Sequence, residues 1–155
     1  MTSYTIYIPG EVDLQEILQS PLIWKEFQQR WAVGSPRLSD LLFGVDTMNK
    51  MIDISVDFEL TDEQTANVSR AVRDIALGYV YIGDLAAVLQ KQLGIEQKIA
   101  SEIGGSALEI LRPCMDEIKK IQLARFRNRI EQAATKPIDQ PKQENTSNII
   151  NLRKP

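Results

Sequence analysis

Three aromatic side chains, Trp24, Phe27 and Trp31, recur at spacings of three and four residues, and they include both tryptophans of the chain. On a helix this spacing puts all three on one face. Such a face can anchor a protein partner, because tryptophans are enriched where interfaces gain most of their binding energy. The same rings suit an aromatic core packed against the rest of the molecule, and the residues leave both readings open. A second set is cationic. Lys119, Lys120, Arg125, Arg127 and Arg129 surround the lone Phe126, a pattern able to neutralise phosphates with steep salt dependence. A basic cluster late in a helix is also what the helix dipole favours by itself.

Residues suited to covalent or metal chemistry are few. The chain has no histidine and one cysteine, which excludes a Cys/His zinc site and Ser-His-Asp or Cys-His catalysis within one copy. Cys114 follows Arg112 and Pro113 at a helix start, where charge and dipole can activate a thiol; it equally suits a core as a small apolar side chain. Gly104-Gly105 lacks the preceding strand and the following Lys-Ser/Thr of a phosphate-cradling loop. The pair reads instead as a close helix crossing or a local bend. Asp53/Asp57 and Asp62/Glu63 are as expected of solvated faces. These features imply a non-enzymatic protein with no cofactor and no metal.

The elements that carry these residues are mainly helical. Thr61 with Gln64 forms a capping-box pattern, Asp62 and Glu63 occupy the first turn, and Val68, Val72, Ile75 and Tyr79 make one stripe. Asp84 can cap a second helix that runs to Leu93 and stops at Gly94. A third begins near Glu96 with Ile99, Ile103, Ala107 and Ile110 inward, until Pro113 ends it and opens a fourth that reaches about Ala134. Before this core, Asp13 can cap a short helix, and Ser20-Pro21 starts the aromatic one, which ends near Val33. Leu38, Leu41, Leu42 and Phe43 follow on a short apolar helix. Two stretches alternate with period two: Tyr4, Ile6 and Ile8, then Ile52, Ile54, Val56, Phe58 and Leu60. They predict two strands paired as a ribbon, or an extended arm over 45–60 with its first turns helical.

Asp74-Ile75 closing one helix, Gly78 soon after, Leu93-Gly94-Ile95, Ala100, Ile103 and Pro113 opening a further helix together resemble small uncharacterised helical proteins of candidate-phyla (patescibacterial) bacteria. The resemblance implies an all-helical module over the central part of the chain and no particular activity.

A chain of 155 residues with 43% hydrophobic and 25% charged residues can support a real core. The fold expected is mainly α: a small multi-helix bundle with a two-stranded β ribbon or extended arm and a disordered C-terminal tail. Three segments follow, namely 1–60 with the aromatic helix, 61–134 as the bundle, and a polar, Pro-containing tail over 135–155. Within the tail, Ile149 to Lys154 could serve as a binding peptide. No run approaches the roughly 18 apolar residues of a membrane span, and the start lacks a basic then apolar leader pattern, so a cytoplasmic location is expected. Charge is uneven: residues 1–75 hold 6 Lys/Arg against 12 Asp/Glu, net −6, and residues 112–136 hold 7 against 3, net +4. The function expected is an interaction or scaffold module that binds protein partners or itself through Trp24, Phe27 and Trp31. The alternative is a nucleic-acid-associated protein using Lys119, Lys120, Arg125, Arg127 and Arg129.

Overall fold

Period-two alternation misleads in this chain, because the stretch that shows it best is a helix. The structure is a computed structural model and describes residues 4–152, with side chains from 4 to 134. The described residues form eight α-helices and three 3-10 turns and contain no β-strand. The helices are α1 (Leu14–Leu18), α2 (Pro21–Val33), α3 (Pro36–Phe43), α4 (Val45–Asp57), α5 (Asp62–Ala76), α6 (Leu85–Leu93), α7 (Gln97–Leu111) and α8 (Met115–Leu152). The molecule is therefore a mainly α multi-helix bundle, and the expected β ribbon or extended arm does not exist.

Both supposed strands have identifiable replacements. Tyr4–Tyr7 is a single 3-10 turn, with the Ile6 carbonyl accepting from the buried Ser69 hydroxyl. In α4, Thr47, Met51 and Ile54 are buried and Phe58 is half-buried, a progression of four, three and four residues that is as helical as Ile52, Ile54, Val56, Phe58 and Leu60 are alternating. Packing against α5 and α7 decides between the two patterns, since propensity is weak beside tertiary context. The outward-facing Val56 is accordingly 67% exposed.

The end of α4 repays attention to its backbone. The Leu60 and Glu59 amides donate to the Ser55 and Val56 carbonyls, which is a Schellman closure with Glu59 in the left-handed region at φ 51°. A side chain there costs free energy that glycine avoids. Glu59→Gly is therefore expected to stabilise the fold by about 0.5 to 1 kcal/mol, seen as a higher urea midpoint at unchanged slope. A lower midpoint would show that the strain is absent.

The first helix of the expected core, α5, is its most enclosed element. Thr65, Val68, Ser69, Ala71, Val72, Arg73, Ile75 and Ala76 are all buried, more than one stripe allows, so neighbours lie on most of its sides. Its start carries the expected capping box, Gln64 N donating to Thr61 Oγ1 (3.1 Å) and Thr61 N to Gln64 Oε1 (3.0 Å). Gln64 Nε2 also donates to the Leu93 carbonyl (3.1 Å), so the α5 N-terminus satisfies the end of α6, where Gly94 turns at φ 65°. The helix stops at Ala76, short of Tyr79, with Gly78 at φ 79° as its left-handed terminator. Asp84 precedes α6 but makes no side-chain capping hydrogen bond.

The glycine pair in α7 is not a forced close crossing. A Cβ on Gly104 would meet Leu85 at 3.6 Å, an ordinary contact, and one on Gly105 would meet nothing. No steric reason for either glycine is present. The chain divides into two compact units, Met1–Gln122 and Leu123–Pro155. Phe126 leaves helical geometry at φ −128° and ψ 32° within α8. The expected tail over 135–155, including Ile149 to Lys154, lies outside the residues whose side chains are described. Among the described residues no helix is long and apolar enough to cross a membrane.

Candidate functional site

The sequence of α2 fixes where its rings go. Ser20 accepts from the Ile23 amide and Pro21 occupies the first turn, so the helix starts in a register that turns Phe27 inward. Phe27 is 4% exposed, and Trp24 and Trp31 flank it half-buried. The three rings are in contact: Trp24 stacks on Phe27 with centroids 6.2 Å apart, and Trp31 meets Phe27 edge-on at 5.9 Å. Phe43, from the end of α3, extends the row at 5.3 Å from Trp31. Its ring lies over Gly10, where a Cβ would come within 2.7 Å of it, so this ring position requires a glycine beneath.

A shallow groove of about 400 Å³ results, lined by Leu14, Trp24, Phe27, Gln28, Trp31, Ser39 and Phe43. The lining includes no titratable group. Phe43 in the row is 41% exposed, and elsewhere on α1 and α2 Leu18, Leu22 and Ile23 are 48%, 82% and 54% exposed. The protein therefore carries an exposed aromatic and apolar patch built on α1, α2 and α3. Sequence spacing located Trp24, Phe27 and Trp31; Phe43 and Leu14 come from other elements and only the fold brings them in.

Beneath the groove lies a polar network that sequence reasoning missed. Arg73 is 7% exposed; it donates to the Val12 carbonyl (2.7 Å) and to Asp74 (2.9 Å), and its guanidinium sits 5.5 Å from the Phe27 ring centre. Arg70 pairs with Asp13 through Nη2 at 2.9 Å. The Arg70 hydrogen bond, together with the Arg70 and Arg73 charges, holds the Asp13 carboxyl below its ordinary value despite burial. Asp13, expected as a helix cap, instead adopts φ 62° and makes no capping bond. Burial pushes Asp74 the other way, above its ordinary value, with Arg73 opposing. On the next turn of α2, Arg30 donates to the Gly78 carbonyl (2.7 Å) and covers the Tyr79 ring at 4.2 Å. The aromatic helix is thus tied to the end of α5 by a cation that also pairs with Glu26 on its own helix at 3.4 Å. The only sequence signal for Arg73 was its four-residue spacing from Ser69, on a flank of α5 that the apolar stripe left unassigned.

The cationic set is dispersed over two units. Lys119 and Lys120 are exposed on α8 in the first. Arg125, Arg127 and Arg129, in the second, line one hollow around the Phe126 break together with Ala124 and Asn128. Cys114 is 3% exposed, and burial raises its thiol pKa against the lowering effect of Arg37, so it packs rather than being activated. Among the described residues no group of three or more Cys, Asp or Glu side chains is placed to hold a metal ion. No family model, no curated protein and no solved structure matches this chain.

Proposed function

We propose that this chain is a non-catalytic protein-interaction module whose α2 face receives apolar or aromatic side chains of a protein partner. One observation supports it most: the groove of Trp24, Phe27, Trp31 and Phe43 is open and uncharged, with Phe43 41% exposed. Apolar surface of this kind gains free energy when a partner removes it from water, at roughly 25 cal/mol per Å² before association costs. The groove offers no general acid, base or nucleophile, only rings, two uncharged polar side chains and a leucine. Its floor is held rigidly by the Arg73 network, which favours a partner binding to a preformed surface.

Both tryptophans lie in the groove, so intrinsic fluorescence reports its occupancy directly. Partner capture from native lysate by the wild type is compared with capture by Trp24→Ala/Trp31→Ala. A protein retained by the first and lost by about tenfold or more from the second, with blue-shifted emission on rebinding, is the expected outcome. Equal recovery by both, with unchanged far-ultraviolet circular dichroism, sinks the proposal.

A further inference from the structure

Charge is divided between the two units. Residues 1–122 hold 11 Lys/Arg against 18 Asp/Glu, net −7, and residues 123–155 hold 7 against 3, net +4. The opposite signs gather at two concave places. At the Phe126 break, Arg125, Arg127 and Arg129 line a hollow of about 460 Å³. Residues two apart on a regular helix do not face each other; the non-helical backbone at Phe126 is what lets all three arginines share it. In the first unit a groove of about 270 Å³ is lined by Lys50, Asp53, Ile54 and Asp57 of α4 with Ser106 and Glu109 of α7. Asp53 and Asp57 there face one ammonium, and Glu109 is paired with Arg112 at 3.3 Å. Among the described residues Asp53 and Asp57 have no ion-pair partner.

We propose that the chain associates with a second copy of itself head to tail, the arginine hollow of one copy seated against the Asp53/Asp57 face of the α4/α7 groove of the next. Guanidinium forks match carboxylates two bonds at a time, and the exposed Val56 beside the groove and Leu123 beside the hollow add apolar contact. A second copy supplies the complementary charge, since residues 1–122 of every copy carry net −7. The contact joins unlike surfaces, so every copy offers both halves of it. None of its residues lines the aromatic groove, and it stands independently of the function proposed above.

Sedimentation velocity of the full chain over a concentration series, at about 0.05 M and about 0.5 M salt, tests this. Oligomers that grow with concentration at low salt, and an association constant about tenfold or more lower at high salt, are expected. Arg125→Glu/Arg127→Glu abolishes association, as does Asp53→Lys/Asp57→Lys, and mixing the two restores it because each variant meets its opposite. All four positions are exposed, and circular dichroism verifies that both variants fold. Monomers at every concentration in low salt overturn the proposal. Association that ignores salt or charge reversal does the same, and so does a mixture that stays monomeric. A monomer that binds RNA or anionic vesicles through Arg125 and Arg127 also overturns it, in favour of a polyanion in the hollow.

Discussion

Arg73→Met lowers the free energy of unfolding by about 3 to 5 kcal/mol, measured by urea denaturation near neutral pH. Methionine keeps much of the volume, so the loss is electrostatic: the Val12 carbonyl and the Asp74 carboxylate lose their donor, and Phe27 loses the cation beside its ring. Asp74, only 19% exposed, is left without its adjacent cation. Its pKa already stands above the ordinary 3.8 because of burial, and removing Arg73 raises it further. A carboxyl that binds its proton more tightly folded than unfolded subtracts stability as pH rises through that interval and returns it as pH falls. Asp13 contributes in the same sense to the difference between the two proteins. Its depressed pKa adds stability above about 3.8 that is lost in acid, and the variant, lacking the Arg73 charge, has less of it to lose. The deficit relative to wild type therefore shrinks as pH drops toward the carboxylate range, and Arg73→Met/Asp74→Asn is more stable than Arg73→Met alone. A deficit that stays constant with pH, or a double variant no better than the single, argues against this account.

Gln122→Leu is expected to cost about 3 kcal/mol. Gln122 is 2% exposed; its amide donates to the Ile75 and Val80 carbonyls, each at 2.9 Å, and accepts from the Ile82 amide at 2.8 Å. The Ile75 carbonyl keeps its bond from Gly78, so two groups, Val80 O and Ile82 N, are orphaned. Hydrogen exchange should speed up most at Ile82, while amides in the middle of α7 change only through the global loss. A cost below about 1 kcal/mol, or unaltered protection at Ile82, would falsify the role of Gln122 as a clamp on the turn between α5 and α6.

The helices from Thr61 to Leu111 were readable because several independent signals agree there: the Thr61/Gln64 capping box, the left-handed stop at Gly94, and the Pro113 break. The α4 helix was not, because β-branched residues at alternating positions overlay a helical progression, and only the surface of α5 and α7 selects one. The aromatic row was legible as Trp24, Phe27 and Trp31, but its fourth ring depends on Phe43 settling over Gly10, a long-range contact with no local signature. Arg73 and Gln122 escaped for a common reason. Each is a polar residue at a core position, and its meaning lies in carbonyls contributed by distant segments: Val12 in one case, Ile75 and Val80 in the other. Gln122 did carry a trace, four residues after Ile118 and eight after Cys114, both of which are buried.

The start of α3 is completed by a residue 82 positions later in the chain: the Ser35 amide and hydroxyl both donate to the Glu117 carboxylate, each at 2.5 Å. On a ribosome adding about 5 to 20 residues per second, that carboxylate emerges on the order of 4 to 16 s after the serine it will bind. Throughout this interval Leu38 and Leu42, both fully buried in the finished protein, belong to a helix whose capping serine has yet to meet the acceptor of its own amide and hydroxyl. Nascent chains stalled before Glu117 should therefore be the ones that chaperones hold.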